Sequence, residues 1–306
     1  MSKILRIGSA AAAAAGAILA TGAFALAPAA QAARVVAPAR SAPEAPVVAG
    51  ASNLSAARPA ARPANVLPGQ PMIPATAPSL SPAIAASTIR SVNWAGYAVT
   101  RGGKSFRVIT ATFQVPALDC VATPDAASAH WVGFDGFAYK SHSVEQDGIE
   151  ADCAGSLARY RAWYEMFPRP ETVSTMRVRP GDSITVSVSY SPARRRFTLT
   201  VTNNTRHRHF SVVRACAAAS CPVNSAEVIS EAPATSEGDL LPLADYRVVS
   251  FRRIAITDGA GHRGGLISRR WRITKILQYG AATEQLIAQP TATAGRRFAN
   301  HWLGEH

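Results

Sequence analysis

From residue 89 onward, apolar and polar positions alternate in short runs. Phe106-Arg107-Val108-Ile109-Thr110-Ala111-Thr112-Phe113, Ser183-Ile184-Thr185-Val186-Ser187-Val188-Ser189-Tyr190 and Phe197-Thr198-Leu199-Thr200-Val201-Thr202 are rich in β-branched and aromatic side chains, the pattern of strands that bury one face. Pro180-Gly181-Asp182, Asp258-Gly259 and Gly264-Gly265 punctuate the runs as turns. No window after the first 32 residues sustains a helical period. Roughly 215 residues with this texture suit one large domain better than two small ones. The pattern therefore predicts an all-β antiparallel β-sandwich over residues 89–306.

The first 88 residues have a different texture. Lys3 and Arg6 precede an apolar, alanine-rich run from Ile7 to Ala27, followed by Ala30-Gln31-Ala32. This is the form of a secretory signal peptide with a small-x-small cleavage site, so residues 1–32 are expected to be removed and the protein to be exported, with no membrane attachment afterwards. Residues 33–88 are mostly Ala, Pro, Ser and Val and contain no aromatic residue. Side chains this small cannot offset the entropy of ordering the backbone, which predicts an extended, mobile linker or propeptide.

All five tryptophans and all four cysteines lie beyond residue 88. Cys120, Cys153, Cys216 and Cys221 suit an oxidising compartment, and three pairings are possible. We favour Cys216–Cys221, which closes a short Ala/Ser loop, and Cys120–Cys153, which ties a loop to the end of the strand carrying Gln146. No Cys-x-x-Cys or suitably placed histidine pair accompanies them, and no metal or cofactor is expected. The formal net charge is +13, and without residues 1–88 there remain 26 basic against 18 acidic side chains. The basic residues are scattered, the densest group being Arg194-Arg195-Arg196 between two strands, where a solvated hairpin tip is expected. No aromatic-basic motif for single-stranded nucleic acid is present. His207-Arg208-His209 is expected to be an exposed strand end.

Two distant segments carry the candidate chemistry, Val144-Glu145-Gln146-Asp147-Gly148 and Ala226-Glu227-Val228-Ile229-Ser230-Glu231. A glutamate takes a proton from water, while a glutamine holds that water by its carbonyl oxygen and donates its NH2 to an oxyanion. A Gln146/Glu231 pair of this kind needs no histidine and can operate in acid. Strand parity places Trp131 with Asp135, Trp163 with Glu165, and Glu227 with Glu231, while Val132 and Phe134 take the opposite, core-like face. Tryptophans and carboxylates would then line one groove.

These residues, in this order, resemble the eqolisins, the glutamic peptidases. The similarity runs through Asn93-Trp94-Ala95-Gly96, Phe113-Gln114-Val115-Pro116, Trp131-Val132-Gly133-Phe134-Asp135-Gly136, Gln146, Ala162-Trp163-Tyr164-Glu165, the Ala226–Glu231 segment and Leu241-Pro242-Leu243-Ala244-Asp245-Tyr246. The resemblance implies two bent sheets in a concanavalin-like sandwich and an endopeptidase acting on polypeptides; separately, a monomer is expected. Glu231 would be the base and then the acid, and Gln146 would position water and stabilise the oxyanion. Asp135, Glu165 and Glu227 would support the pair, with Trp94, Trp131 and Trp163 shaping the cleft.

The sequence departs from the fungal pattern around Gln146. Glu145 and Asp147 flank it where Thr-Gly usually follows, Glu150 replaces an aspartate, and Ala232-Pro233 follow Glu231. The spacing Glu145-x-Asp147-x-x-Glu150 also matches the acids of laminarinase-type glucanases, which set carboxyls about 5–5.5 Å apart for retaining hydrolysis. That alternative needs Glu145 and Asp147 in the cleft, which would turn Gln146 away from it. A non-catalytic wall- or glycan-binding sandwich is the remaining alternative.

Overall fold

The structure is a computed structural model that describes residues 66–75, 88–138 and 140–304. The expected signal peptide, and the expected linker apart from residues 66–75 and Thr88, lie outside the described residues. In chain order the strands are β1 (Val66–Leu67), β2 (Thr88–Ser91), β3 (Trp94–Thr100), β4 (Phe106–Gln114), β5 (Ala127–Asp135), β6 (Val144–Ala154), β7 (Leu157–Phe167), β8 (Thr172–Arg177) and β9 (Ser183–Ser191). They continue with β10 (Arg196–Asn203), β11 (Arg208–Ala215), β12 (Ser225–Glu231), β13 (Ala234–Thr235), β14 (Val248–Asp258), β15 (Arg263–Gly264), β16 (Arg272–Tyr279), β17 (Leu286–Pro290) and β18 (Phe298–Trp302). No helix occurs among the described residues.

The alternating runs become β4, β9 and β10, within a residue of their expected bounds. These strands belong to one sheet, ordered β11-β10-β9-β4-β14, while the other runs β18-β17-β16-β3-β12-β5-β6-β7-β8. The two are continuous through β14, whose first residues pair with β18 and whose later residues pair with β4 across a bulge between Arg252 and Ala255. Bulges let one strand turn from sheet to sheet. Pairing is antiparallel throughout this order, but β2 joins β16 in parallel.

The core lies between the sheets. Val132, Phe134, Ile149 and Val228 meet Ile109, Phe113, Val186, Leu199 and Phe251 there, all buried. In β9 and β10 burial alternates along the strand, as expected for a sheet with one face in solvent. In β5, β6 and β12 every residue is buried, so both faces of these central strands are covered. The second face carries Trp94, Trp131 and Trp163 in a separate apolar cluster with Ile229.

Both favoured disulfides are formed, Cys120–Cys153 and Cys216–Cys221. The Arg194–Arg196 cluster sits on an exposed hairpin tip. His207 lies in a turn with φ of 51°, before β11 begins, so it does not share a strand face with His209.

The β6 alternation sends Asp147 into the interior. Its carboxylate accepts the backbone N–H groups of Ser187 at 3.1 Å and Thr200 at 2.5 Å, tying β6 to the opposite sheet. Asp147→Ala leaves both donors without this acceptor, and an orphaned buried donor costs about 1–3 kcal/mol. In mild acid, urea unfolding followed by tryptophan fluorescence should show a lower midpoint for Asp147→Ala and a smaller loss for Asp147→Asn, which keeps an acceptor.

Candidate active site

Gln146 stands near the start of β6, opposite Gly133 of β5 and Glu165 of β7. A Cβ at Gly133 would come 3.0 Å from the Cβ of Gln146, so the glycine leaves this side chain its space. Glu231 ends β12, opposite Ala129 of β5 and Trp94 of β3. The two side chains come from strands on either side of β5, and both are fully buried.

Hydrogen bonds fix their orientation. Trp131 Nε1 donates to Glu231 Oε2 at 2.7 Å, and Gln146 Nε2 donates to Glu165 Oε2 at 2.7 Å. Trp94 packs edge to face on Trp131, with ring centroids 4.9 Å apart. Trp163 is buried in the same cluster. Gln146, Glu165, Glu231 and the three tryptophans thus form one constellation; strand parity predicts a shared face for Trp131, Trp163, Glu165 and Glu231, and the resemblance adds Trp94 and Gln146.

The space between Gln146 and Glu231 holds a segment that side-chain patterning did not connect to the site. Gly69 donates its N–H to Glu231 Oε2 at 2.9 Å, and its carbonyl oxygen accepts from Gln146 Nε2 at 2.6 Å. Trp94 Nε1 donates to the carbonyl of Gln70 at 3.1 Å. Asn93, noted in the sequence only as part of a motif, donates through Nδ2 to Pro71 O at 3.1 Å and accepts the Ile73 N–H at 2.8 Å. The expectation of a mobile tether does not describe residues 66–75. Composition measures side-chain burial, whereas this segment is held through its backbone. One signal was available: Gln70 and Met72 are the only Gln and Met between residues 33 and 88.

Asp135 departs from its expected place. It sits at φ of 65°, where strand alternation fails, and its carboxylate accepts from Val223 N at 2.8 Å and Asn224 N at 3.0 Å. It is therefore engaged with the loop entering β12 and not with the Gln146/Glu231 pair. Glu227 is buried beside Ser225, and burial together with the Asp135 charge pushes its pKa well up. Glu145 and Asp147 point away from Gln146, as parity demands, while Glu150 is on the Gln146 side of β6 and pairs with Arg161 at 3.3 Å. The three acids of the glucanase alternative do not share a face.

Burial dominates the electrostatics. It raises Asp135, Glu145, Asp147, Glu165 and Glu227 above the ordinary carboxyl range and pushes Glu231 up to about 8 against the hydrogen bond from Trp131. Glu165 is raised further by the Glu231 charge, while its hydrogen bond with Gln146 opposes the shift. His130, fully buried and bonded to Ser230 Oγ at 3.0 Å, is lowered to about 3 by desolvation. It stays neutral through the mildly acid range.

These shifts determine how stability depends on pH. A carboxyl raised on folding keeps its proton where the unfolded chain has released it, so its stabilisation is complete below the unfolded pKa and is lost as pH rises through the folded one. For Glu231 the loss runs from pH 4.5 to about 8. His130 acts oppositely, losing stability as pH falls from 6.5 to about 3. Asp119, held low by the Ala122 N–H and Arg247, acts with it, as does Asp182, whose partial burial is outweighed by Arg206 and Asn203. The raised carboxyls outnumber these, so the full chain should have a higher urea midpoint at pH 4.5 than at pH 8. An equal or reversed order would show that the buried carboxyls ionise as they do in the unfolded chain.

Comparison with known proteins supplies a family and a fold. The model of the Peptidase A4 family matches residues 92–293. Among solved structures, scytalido-glutamic peptidase with a peptide-based transition state analog aligns with TM-score 0.58 and 24% identity, covering 69% of this chain and 98% of that one. SCP-B, an eqolisin in complex with the tripeptide Ala-Ile-His, aligns with TM-score 0.56 and 24% identity over the same shares. Aspergilloglutamic peptidase from Aspergillus niger gives TM-score 0.51 and 21% identity, covering 58% of this chain and all of that one. At these identities the likeness establishes the fold. Among curated proteins nothing matches the chain.

Proposed function

Because this chain belongs to the peptidase A4 family and is a glutamic peptidase, we propose that it is an exported endopeptidase that works in acid, with Gln146 and Glu231 acting on one water molecule. The observation that carries this reading is convergence: Gln146 Nε2 and Glu231 Oε2 reach the two backbone polar groups of a single residue, Gly69, from opposite sides. Side chains so placed can serve both a scissile carbonyl and its attacking water.

In this reading Glu231 takes a proton from water as the oxygen attacks the carbonyl carbon. Gln146 Nε2 donates to the oxyanion that forms. Glu231 then returns the proton to the amide nitrogen, the C–N bond breaks, and a carboxylic acid and an amine leave. Trp131 Nε1 holds the Glu231 carboxylate in place and favours its ionised form. Glu165 fixes the Gln146 amide so that its NH2 faces the peptide, which makes Glu165 a positioning residue. Asp135 and Glu227 support the site from a distance, as part of the buried acid group beneath it.

The raised pKa of Glu231 reflects a peptide seated over it. In an open cleft water reaches the carboxyl, the burial penalty falls, and the Trp131 hydrogen bond remains, so the group ionises at a lower pH. Burial by a bound peptide then favours the protonated form, which is the form that the leaving amine requires. Export is supported by the signal-like N-terminus and by two disulfides.

The assignment is tested by hydrolysis of a denatured protein across acid pH, with products mapped by mass spectrometry. Activity should peak below neutral pH and resist pepstatin and chelators. Glu231→Gln should abolish turnover, and Gln146→Ala should lower it on the order of 100-fold or more. Glu145→Gln should be far milder, since that side chain faces away. Wild-type proteolysis by Glu231→Gln would show the assignment to be wrong.

A further inference from the structure

Residues 89–118 and 246–283 carry twelve Lys and Arg side chains against one acid, Asp258, so wherever the fold joins these stretches it joins cations. It does so at one end of the sheet that bears the tryptophans. Arg272, the first residue of β16, pairs with Thr100, the last of β3, and this sets the Arg269–Arg270 turn beside the Arg101–Lys104 turn. Arg101, Lys104, Arg269, Arg270 and Arg272 line a single cavity of about 380 Å³ together with Trp271.

The cavity is held in shape from beneath. Trp271 is buried and packs edge to face on Phe106, with ring centroids 6.0 Å apart, and its Nε1 donates to Leu266 O at 3.0 Å. Lys104 N donates to Arg101 O at 3.2 Å across the turn formed by Gly102 and Gly103. Arg101 is paired with Asp258 Oδ2 at 3.0 Å, and Asp258 Oδ1 accepts the N–H groups of Ala260 at 2.9 Å and His262 at 3.0 Å. The one acid of these stretches is therefore fully engaged. Lys104, Arg269, Arg270 and Arg272 are exposed and have no carboxylate partner among the described residues. On the neighbouring β12, Glu227 lies opposite Ala98, but it is buried, and burial pushes its pKa well up, so it adds little negative charge. Like charges converging on a concavity repel one another, and an anion seated among them removes that repulsion.

We propose that this cavity is a binding site, separate from the Gln146/Glu231 pair, for a linear polyol–phosphodiester polymer outside the cell. Arginine dominates the set, and its planar fork matches a two-oxygen anionic group better than the point charge of lysine does. A polymer of carboxylates titrates near pH 4 and loses charge in acid, whereas phosphodiesters and arginines keep theirs. Single-stranded nucleic acid, which is also a phosphodiester, fits less well, because it needs open aromatic faces on which bases stack and Trp271 is buried. The choice of partner rests on the acid, exported setting proposed above; the site itself does not. A chain tethered in this way would act at a high effective concentration on proteins held at the same surface.

The test measures binding of the full chain to fluorescently labelled poly(glycerol phosphate) by anisotropy in mild acid, over a series of salt concentrations. Four unpaired cations predict that log K falls against log salt with a slope of about −3. Arg269→Glu/Arg270→Glu should weaken binding about tenfold or more and roughly halve the slope. Lys104→Glu, from the other stretch, should weaken it as well. Arg194→Glu/Arg195→Glu makes the same change in net charge at the hairpin tip and should leave binding near the wild-type value. Equal losses from the two double variants would show attraction by bulk charge and overturn the site, as would no binding by the wild-type chain at low salt. Tighter binding of poly-glutamate, or of duplex DNA, than of poly(glycerol phosphate) would overturn the partner. Hydrolysis of a denatured protein by Arg269→Glu/Arg270→Glu should match the wild-type chain, so failure of the peptidase reading leaves the binding result intact and the two are told apart.

Discussion

Gln146 reaches the tryptophan-bearing face because β6 pairs with β7 along its whole length, and with β5 from Val144 to Asp152, without a slip in register. The side-chain period of a strand is two, so one inserted residue would exchange the faces of everything beyond it. An unbroken β6 keeps Gln146 opposite Gly133 and Glu165 and sends Glu145 and Asp147 into the interior. The same constraint fixes Trp131 on β5 within reach of Glu231. A bulge in β6 just before Gln146 would have exchanged the faces of Glu145 and Gln146. Register therefore decides between two reaction classes that the local residue types alone leave open.

Period-two alternation was legible wherever a strand runs straight, which is why β4, β9, β10 and the shared face of Trp163 and Glu165 could be read from the sequence. It failed at Asp135, because a single residue at positive φ turns the side chain out of the pattern and hydrogen-bond partners from the distant Val223–Asn224 loop hold it there. It was silent on Gly69. Residues 66–75 lack the large side chains by which packing announces itself, and they are ordered by carbonyls and N–H groups that every sequence possesses. The cysteine pairing was legible because only four residues, Ala217 to Ser220, lie between Cys216 and Cys221 and the remaining two cysteines then have only each other.

The central strands are covered on both faces, and this creates the site's electrostatics. A carboxyl sealed beneath tryptophans is costly when ionised and far less so when protonated. The fold thus tolerates Glu165 and Glu227 most easily in acid, which is where a glutamate base retains an advantage over histidine. His130 illustrates the contrast. Buried and hydrogen-bonded to Ser230, it is kept neutral and takes a structural place between Phe113 and Tyr246. Under the proposed function, stability and activity are drawn toward the same pH range by one cause, the removal of water from that face.

Charge is segregated accordingly. More than half of the acidic residues after residue 88 are buried, while the arginines of the hairpin tip and many others stay in water. Ordinary acid unfolding proceeds by protonating carboxylates that are ionised in the native state and by building up positive charge at the surface. Here the most deeply buried carboxyls keep their protons well above the usual range, so lowering the pH adds less new charge to the folded protein than its acid content would suggest. The surface is already positive at neutral pH, and its repulsion is present there too. An excess of basic residues is consequently no obstacle to the proposed action in acid, because most of the carboxyls with raised pKa are inside, on β5, β6, β7 and β12.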